Sequence, residues 1–140
     1  MDDALNVKGW LTIKDEDGNV LVDKQNLVVN GGLAFLANAL VAASSSPFTH
    51  IAVGSGTTAA SAGQTALVTE LGRVTFTYTV AGSSVTLTAS FNAGVATGTW
   101  NEAGIFNAAS AGTMYARTTF GAITKSASTV YIVTWVLSVS

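Results

Sequence analysis

The side chains able to move protons or hold charge are few and scattered. His50 is the only histidine. Its neighbours Phe48, Thr49 and Ile51 offer no carboxylate, and the chain lacks the Gly-x-Ser-x-Gly elbow that presents a serine nucleophile. His50 therefore reads as a polar residue at a strand edge or interface. Glu102 and Arg117 stand in a nearly uncharged stretch and fall in adjacent predicted strands. They are expected to face one another as a structural ion pair, with Arg73 the other cation Glu102 could meet. A pair of this kind orients strands more than it adds stability. A general-acid role for Glu102 would need a second carboxylate, and Glu70 is the one available.

Three further motifs invite chemistry and favour plainer uses. Asp15-Glu16-Asp17-Gly18-Asn19 faintly suggests a calcium loop, but counting from Asp15 the twelfth residue is Asn26 rather than the glutamate such a loop requires. A hairpin turn is the expectation, with Asp-Gly supplying the positive φ. Gly54-Ser55-Gly56 lacks the Lys-Ser/Thr of a phosphate loop. Trp10, Trp100 and Trp135 could form a carbohydrate platform, although packing in a core or interface suits each better. No catalytic set, cofactor site or metal site is expected.

Composition narrows the field. Charged residues make up 10 % of the chain, against roughly 25 % in an average globular domain. Residues 1–24 carry Asp2, Asp3, Lys8, Lys14, Asp15, Glu16, Asp17, Asp23 and Lys24. The rest carry only Glu70, Arg73, Glu102, Arg117 and Lys125. A formal net charge of −2 with no basic cluster argues against nucleic acid as a partner. Without cysteine there is no disulfide framework and no thiolate metal site. The acidic opening Met1-Asp2-Asp3 is unlike a signal peptide, and the apolar run Leu33–Ala43 is too short to span a bilayer.

The elements follow from periodicity. Residues 7–29 are expected as an N-terminal hairpin, with Val7, Gly9, Leu11 and Ile13 on one face and Trp10 on the other. Asn30 is a plausible N-cap. Beyond it Leu33, Leu36, Ala37 and Leu40 recur at the helical period, so one short helix is expected near residues 32–43. Its scarcity of polar side chains predicts burial on most sides. Phe48–Val53 reads as a strand, and Gly54–Gly63 as a flexible loop by composition. Val74, Phe76, Tyr78 and Val80 alternate with threonines, as do Val85, Leu87, Ala89 and Phe91, which predicts a half-buried antiparallel pair. Thr99–Phe106 and Thr113–Phe120 are two more strands. The last, Thr129–Ser140, is apolar on both faces and so needs two covers. The predicted core is Leu36, Phe76, Tyr78, Leu87, Phe91 and Trp135.

About eight strands, one helix and regular turns in residues 1–140 imply a single all-β domain, a jelly-roll-like antiparallel sandwich. An immunoglobulin-like sandwich is the second choice. The helix and the missing Cys…Trp…Cys pattern count against it.

Three segments also resemble a recurring pattern in small virion proteins of tailed bacteriophages. They are Gly9–Leu36, Ile51–Arg73 and Ala96–Phe106, the last continuing through Tyr115-Ala116-Arg117 and Lys125 into Ile132–Val139. The pattern occurs in head cement (decoration) proteins and in modules of tail-fibre proteins. The chain is most similar to jelly-roll cement proteins. The resemblance implies a protein on the outer surface of the capsid, bridging subunits of the major capsid protein, with no enzymatic activity and no cofactor. A tail-fibre or baseplate module is the alternative, and a carbohydrate-binding sandwich using the tryptophans a third. Self-association is also expected, a two-fold dimer first, because one sheet-edge pairing closes it. No membrane, nucleic-acid or small-molecule partner is expected. The partner contacts are expected on the charged hairpin, at Trp10, Lys14, Asp15, Asp17 and Lys24.

Overall fold

A computed structural model of the chain describes residues 6–41, 43 and 46–140. Its strands are β1 (Val7–Lys14), β2 (Val20–Gln25), β3 (Leu27–Val28), β4 (His50–Gly54), β5 (Glu70–Thr75), β6 (Thr77–Ala81), β7 (Ser84–Phe91), β8 (Gly98–Phe106), β9 (Met114–Lys125) and β10 (Tyr131–Val139). One helix, α1 (Asn30–Ala39), joins β3 to β4. Every strand pairing is antiparallel. The first sheet runs β2-β1-β10-β7-β6 and the second β3-β9-β8-β4-β5. The fold is the expected jelly-roll-like β-sandwich, with first and last strands paired inside one sheet.

Ten strands stand where eight were expected, because two predicted strands each divide between the sheets. The run Val20–Val29 leaves the first sheet at Asn26, and Leu27 and Val28 pair with Arg117 and Ala116 of β9 in the second. The run through Val80 divides at Phe76, so β5 belongs to the second sheet and β6 to the first. The N-terminal hairpin proper is therefore β1–β2.

The core lies between the sheets. Alternation delivers Leu11, Ile13 and Val22 from the hairpin, Leu87, Ala89 and Phe91 from β7, and Tyr131, Val133 and Trp135 from β10. The second sheet answers with Ile51, Val53, Trp100, Ala103, Ile105 and Tyr115. Edge-to-face packing joins Phe91 to Trp100 and Trp100 to Tyr131, with ring centroids 5.0 and 5.3 Å apart. The Trp135 indole donates to Asn26 Oδ1 at 2.6 Å, fixing the point where the chain changes sheets.

The predicted core holds in part. Leu87, Phe91 and Trp135 are buried, while Leu36 and Phe76 are half-buried against the core. Tyr78 is the correction. Its register with Leu87 sets it on the inner face, yet it is 67 % exposed. β6 is the end strand of its sheet and is exposed along its whole length.

The helix also departs from expectation. It starts at Asn30, with Val29 at the cap position and no side-chain capping bond. Asn30 instead donates its backbone N–H to the Ala62 carbonyl at 2.8 Å. Ala39 ends the helix and Leu40 and Val41 form a turn; the rest of the predicted span runs over Ala42, outside the described residues, to Ala43, which is not helical. Nor is α1 buried on most sides. Gly32 is its one buried residue, and a Cβ there would stand 2.2 Å from the Tyr115 carbonyl oxygen, so glycine lets the helix rest directly on β9. Leu33 and Leu40 are exposed. No helix among the described residues is long and apolar enough to cross a membrane.

Candidate functional site

Glu102 and Arg117 do form the expected pair, and both are 0 % exposed. Gly104 rather than Glu102 lies opposite Arg117 in the β8–β9 register, so the pair is diagonal. Glu102 Oε1 accepts from Arg117 Nε at 3.0 Å, and Arg117 Nη2 lies 2.9 Å from the same oxygen but poorly aligned for a hydrogen bond. The alternative partner, Arg73, binds Glu70 instead, at 2.6 and 2.8 Å. Arg73 also lies over the Phe106 ring, 4.0 Å from its centroid, and donates to the carbonyls of Ala108 and Ala111.

The ion pair holds a cover in place. The segment from Ser55 to Thr69 lies across the outer face of the second sheet. Glu102 Oε2 accepts the backbone N–H groups of Gly56 at 2.7 Å and Thr69 at 2.8 Å, and Oε1 accepts that of Val68 at 2.8 Å. From the other side, Arg117 Nη1 donates to the Thr58 carbonyl at 2.8 Å and to Gln64 Oε1 at 3.1 Å. Leu67 closes the cover over Val29, Ala52, Phe106 and Met114. A Cβ on Gly56 would stand 2.3 Å from Glu102 Oε2, so the close approach needs glycine. The loop Gly54–Gly63, expected to be flexible, is thus tied to the buried pair at Gly56 and Thr58, and the residues after it at Gln64, Val68 and Thr69. Burial by itself would raise the Glu102 pKa. Three amide donors and Arg117 outweigh it and hold the carboxyl below its ordinary value. With both oxygens occupied and no solvent contact, Glu102 offers a substrate no approach.

The remaining charged motif is equally self-contained. Asp15 Oδ1 accepts the N–H groups of Asp17 and Asn19, both at 2.9 Å, and Oδ2 accepts Asn19 Nδ2 at 3.0 Å. Gly18 sits at φ +83°, so the stretch is the expected hairpin turn. Glu16 accepts the Val130 N–H at 2.9 Å, tying the turn to the approach of β10. His50 opens β4, half-buried, with Nδ1 2.7 Å from Thr49 Oγ1. Burial first and Arg73 second lower its pKa. Among the described residues no three His, Cys, Asp or Glu side chains cluster as a metal site would need.

The three tryptophans do not form a platform. Trp100 and Trp135 are fully buried, and Trp10 alone reaches solvent, 47 % exposed. Its indole donates to Asp23 Oδ1. Beside it a shallow groove is lined by Lys8, Gln25, Val136 and Ser138. The five residues expected to contact a partner do not converge. Trp10 and Lys14 lie on the outer face of the first sheet, Asp15 and Asp17 occupy the turn, and Lys24 lies opposite inward-facing Leu11.

The structure singles out a broader surface. On the outer face of the first sheet, β10 presents Ile132, Thr134, Val136 and Ser138, β1 presents Trp10 and Thr12, and β7 presents Thr86, Thr88 and Ser90. Neither the helix nor the second sheet covers this face, since α1 packs on β9. The last strand therefore has its core cover and, among the described residues, lacks a second one. The two-faced apolar pattern of residues 129–140 was the signal for it. Comparison with known proteins finds no matching family model, no matching curated protein and no matching solved structure.

Proposed function

We propose that the chain is a structural virion protein, a cement that binds the outside of a tailed-phage capsid and bridges major capsid protein subunits. One observation carries the reading beyond the sequence resemblance. The outer face of the first sheet centres on Trp10, Ile132 and Val136, carries Lys8, Lys14 and Asp23 on its β1 and β2 part, and has no cover among the described residues. An apolar strip rimmed by Thr and Ser, in a body that spends almost no charge on solvation, suits a protein that works in contact with others. The mechanism is mass action. A protein that binds the assembled shell, and not its free subunits, stabilises the shell by its binding free energy. Symmetry repeats each modest contact many times over one particle.

The test adds the purified chain to capsid shells assembled without it. Saturable co-sedimentation and greater resistance of the shells to heat support the reading. No binding at saturating concentration, or bound shells no more resistant than bare ones, counts against it. Hundreds of copies per particle agree with a shell position, whereas a handful points to the tail.

The groove beside Trp10, with Lys8, Gln25 and Ser138 at its rim, favours one second reading, the binding of a sugar ring against the indole. A glycan array together with indole fluorescence quenching discriminates the two. Silence on the array leaves the protein–protein reading alone.

A further inference from the structure

Residues 55–69 run between β4 and β5 without a helix or strand of their own. Their ends meet. The Ser55 N–H donates to the Thr69 carbonyl at 2.9 Å, so the segment is an Ω-shaped loop closed at its neck. Below the neck the β4–β5 ladder runs from Gly54 with Glu70 to His50 with Thr75 and does not depend on the loop's path. The loop also holds its own shape. Gln64 Oε1 accepts the Ser61 N–H at 3.1 Å, and Gln64 Nε2 donates to the Ala59 carbonyl at 3.2 Å. Within it only Gly56 and Leu67 are buried. Leu67 belongs to the small cluster with Val29, Ala52, Phe106 and Met114, apart from the main core between the sheets. Among the described residues, the polar ties from loop to sandwich reach Glu102 and Arg117, with one more from the Asn30 N–H to the Ala62 carbonyl.

We propose that residues 55–69 form a lid that opens as one unit on a folded sandwich, with the Glu102–Arg117 pair as its latch. Opening gives up the burial of one leucine and the ties just named, while the ladders and the main core stay. It also returns a buried ion pair to water, which offsets part of that loss. The open lid exposes an apolar floor of Val29, Ala52, Phe106 and Met114 beside a carboxylate and a guanidinium, all of them buried in the closed molecule. Acid works the latch. The lid has no charged or titratable side chain, and neither have β3 and α1. Arg117 is the charge that faces Glu102 from β9. On β5, Glu70 and Arg73 bind each other. His50 lies at the far end of β4, opposite Phe106, and Lys125 at the far end of β9, opposite Gly98. With the lid open the Glu102 carboxyl titrates near its ordinary 4.5, so each pH unit below that value favours opening by about tenfold.

The experiment measures amide hydrogen exchange of the full chain in rising, sub-denaturing urea. The Gly56, Val68 and Thr69 amides, which the latch holds, should exchange with one shared opening constant. Their protection should be about a hundredfold or more below that of Val133 and Trp135, at the centre of the first sheet, and nearly independent of urea. Lid amides that match Val133 and Trp135 in protection and urea dependence overturn the proposal, because the lid then opens only when the whole chain unfolds. Below about pH 4.5 lid protection should fall by about tenfold per pH unit. A flat profile takes Glu102 out of the latch and also overturns it. Gly56→Leu tests the folded open state directly. A side chain there meets Glu102 Oε2 and bars closure. Val68 and Thr69 should then exchange at nearly unprotected rates while Val133 and Trp135 stay protected. A Gly56→Leu chain that is unfolded throughout overturns the proposal, since a sandwich that stands with its lid open is not unfolded by barring closure. Parent-like protection of Val68 and Thr69 in that variant overturns it too.

Discussion

Glu102 carries a charge into a place without water, and its neighbours set the terms on which it stays. Its folded pKa lies below the 4.5 of a free glutamate. The stability this contributes is complete above that value and is lost as pH falls through the folded value. Thermal unfolding followed on the acid side should show a midpoint that drops below about pH 4.5. Glu102→Gln removes the charge but leaves Arg117 buried, which should cost about 3–5 kcal/mol at neutral pH. The same variant should show a flatter acid limb, because the group that titrates is gone. Tyr115 acts at the other extreme. Burial pushes its phenol up to about 12 from 10.0, so folding disfavours the phenolate. Stability should therefore fall as pH rises from about 10 toward 12, with phenolate absorbance appearing together with unfolding. The ion pair was legible in the sequence because so few charges surround it. The Glu102 contacts to Gly56, Val68 and Thr69 were not, since they join residues more than thirty positions apart through the fold.

Among the elements, the cover from Ser55 to Thr69 and the strand β10 make contrasting predictions. Gly56→Ala places a methyl group against Glu102 Oε2 and the Val68 side chain. It should destabilise by about 1–3 kcal/mol and speed exchange of the Val68 and Thr69 amides, which the displaced cover would release. Trp135→Ala removes the largest inward side chain of β10 and the indole's bond to Asn26. It should cost about 3–5 kcal/mol and unfold the chain rather than release a folded one from its partner. A soluble, folded Trp135→Ala protein would place the strand's importance outside the core. Small residues misled the sequence reading of the cover: Gly and Ser there mean close approach to a buried carboxylate, not freedom. Tyr78 misled it differently. Its alternation with Thr77 and Thr79 is sound, but period two reports which face a residue occupies and nothing about whether that face is covered. The helix erred for a similar reason: apolar composition does not say which side is covered.

At the scale of the molecule, two surfaces stand open among the described residues. One is the outer face around Trp10 and Val136; the other is the unpaired edge of β6, the last strand of its sheet. Val136→Lys sets a charge on the first without touching the core, because Val136 is 39 % exposed. It should leave the stability within about 0.5 kcal/mol of the parent and, on the capsid reading proposed above, weaken shell binding, read by co-sedimentation. Equal binding would take that face out of the contact. The sandwich and its two-faced last strand could be read from the sequence, since alternation is local. The sequence showed a last strand in need of a second cover but not that α1 would pack on β9 instead, and it did not show that β6 would end its sheet.

The basic residues of the hairpin have a practical corollary. Lys8, Lys14 and Lys24 are exposed on β1 and β2, whereas Lys125 is 1 % exposed and donates its ammonium to the Asn92 carbonyl at 2.8 Å. Amine-directed acylation of side chains should therefore decorate the β1–β2 hairpin and spare the rest of the folded molecule. A dye installed this way marks the hairpin, and on the capsid reading proposed above its accessibility to antibody on intact particles reports whether the hairpin points outward or against the shell.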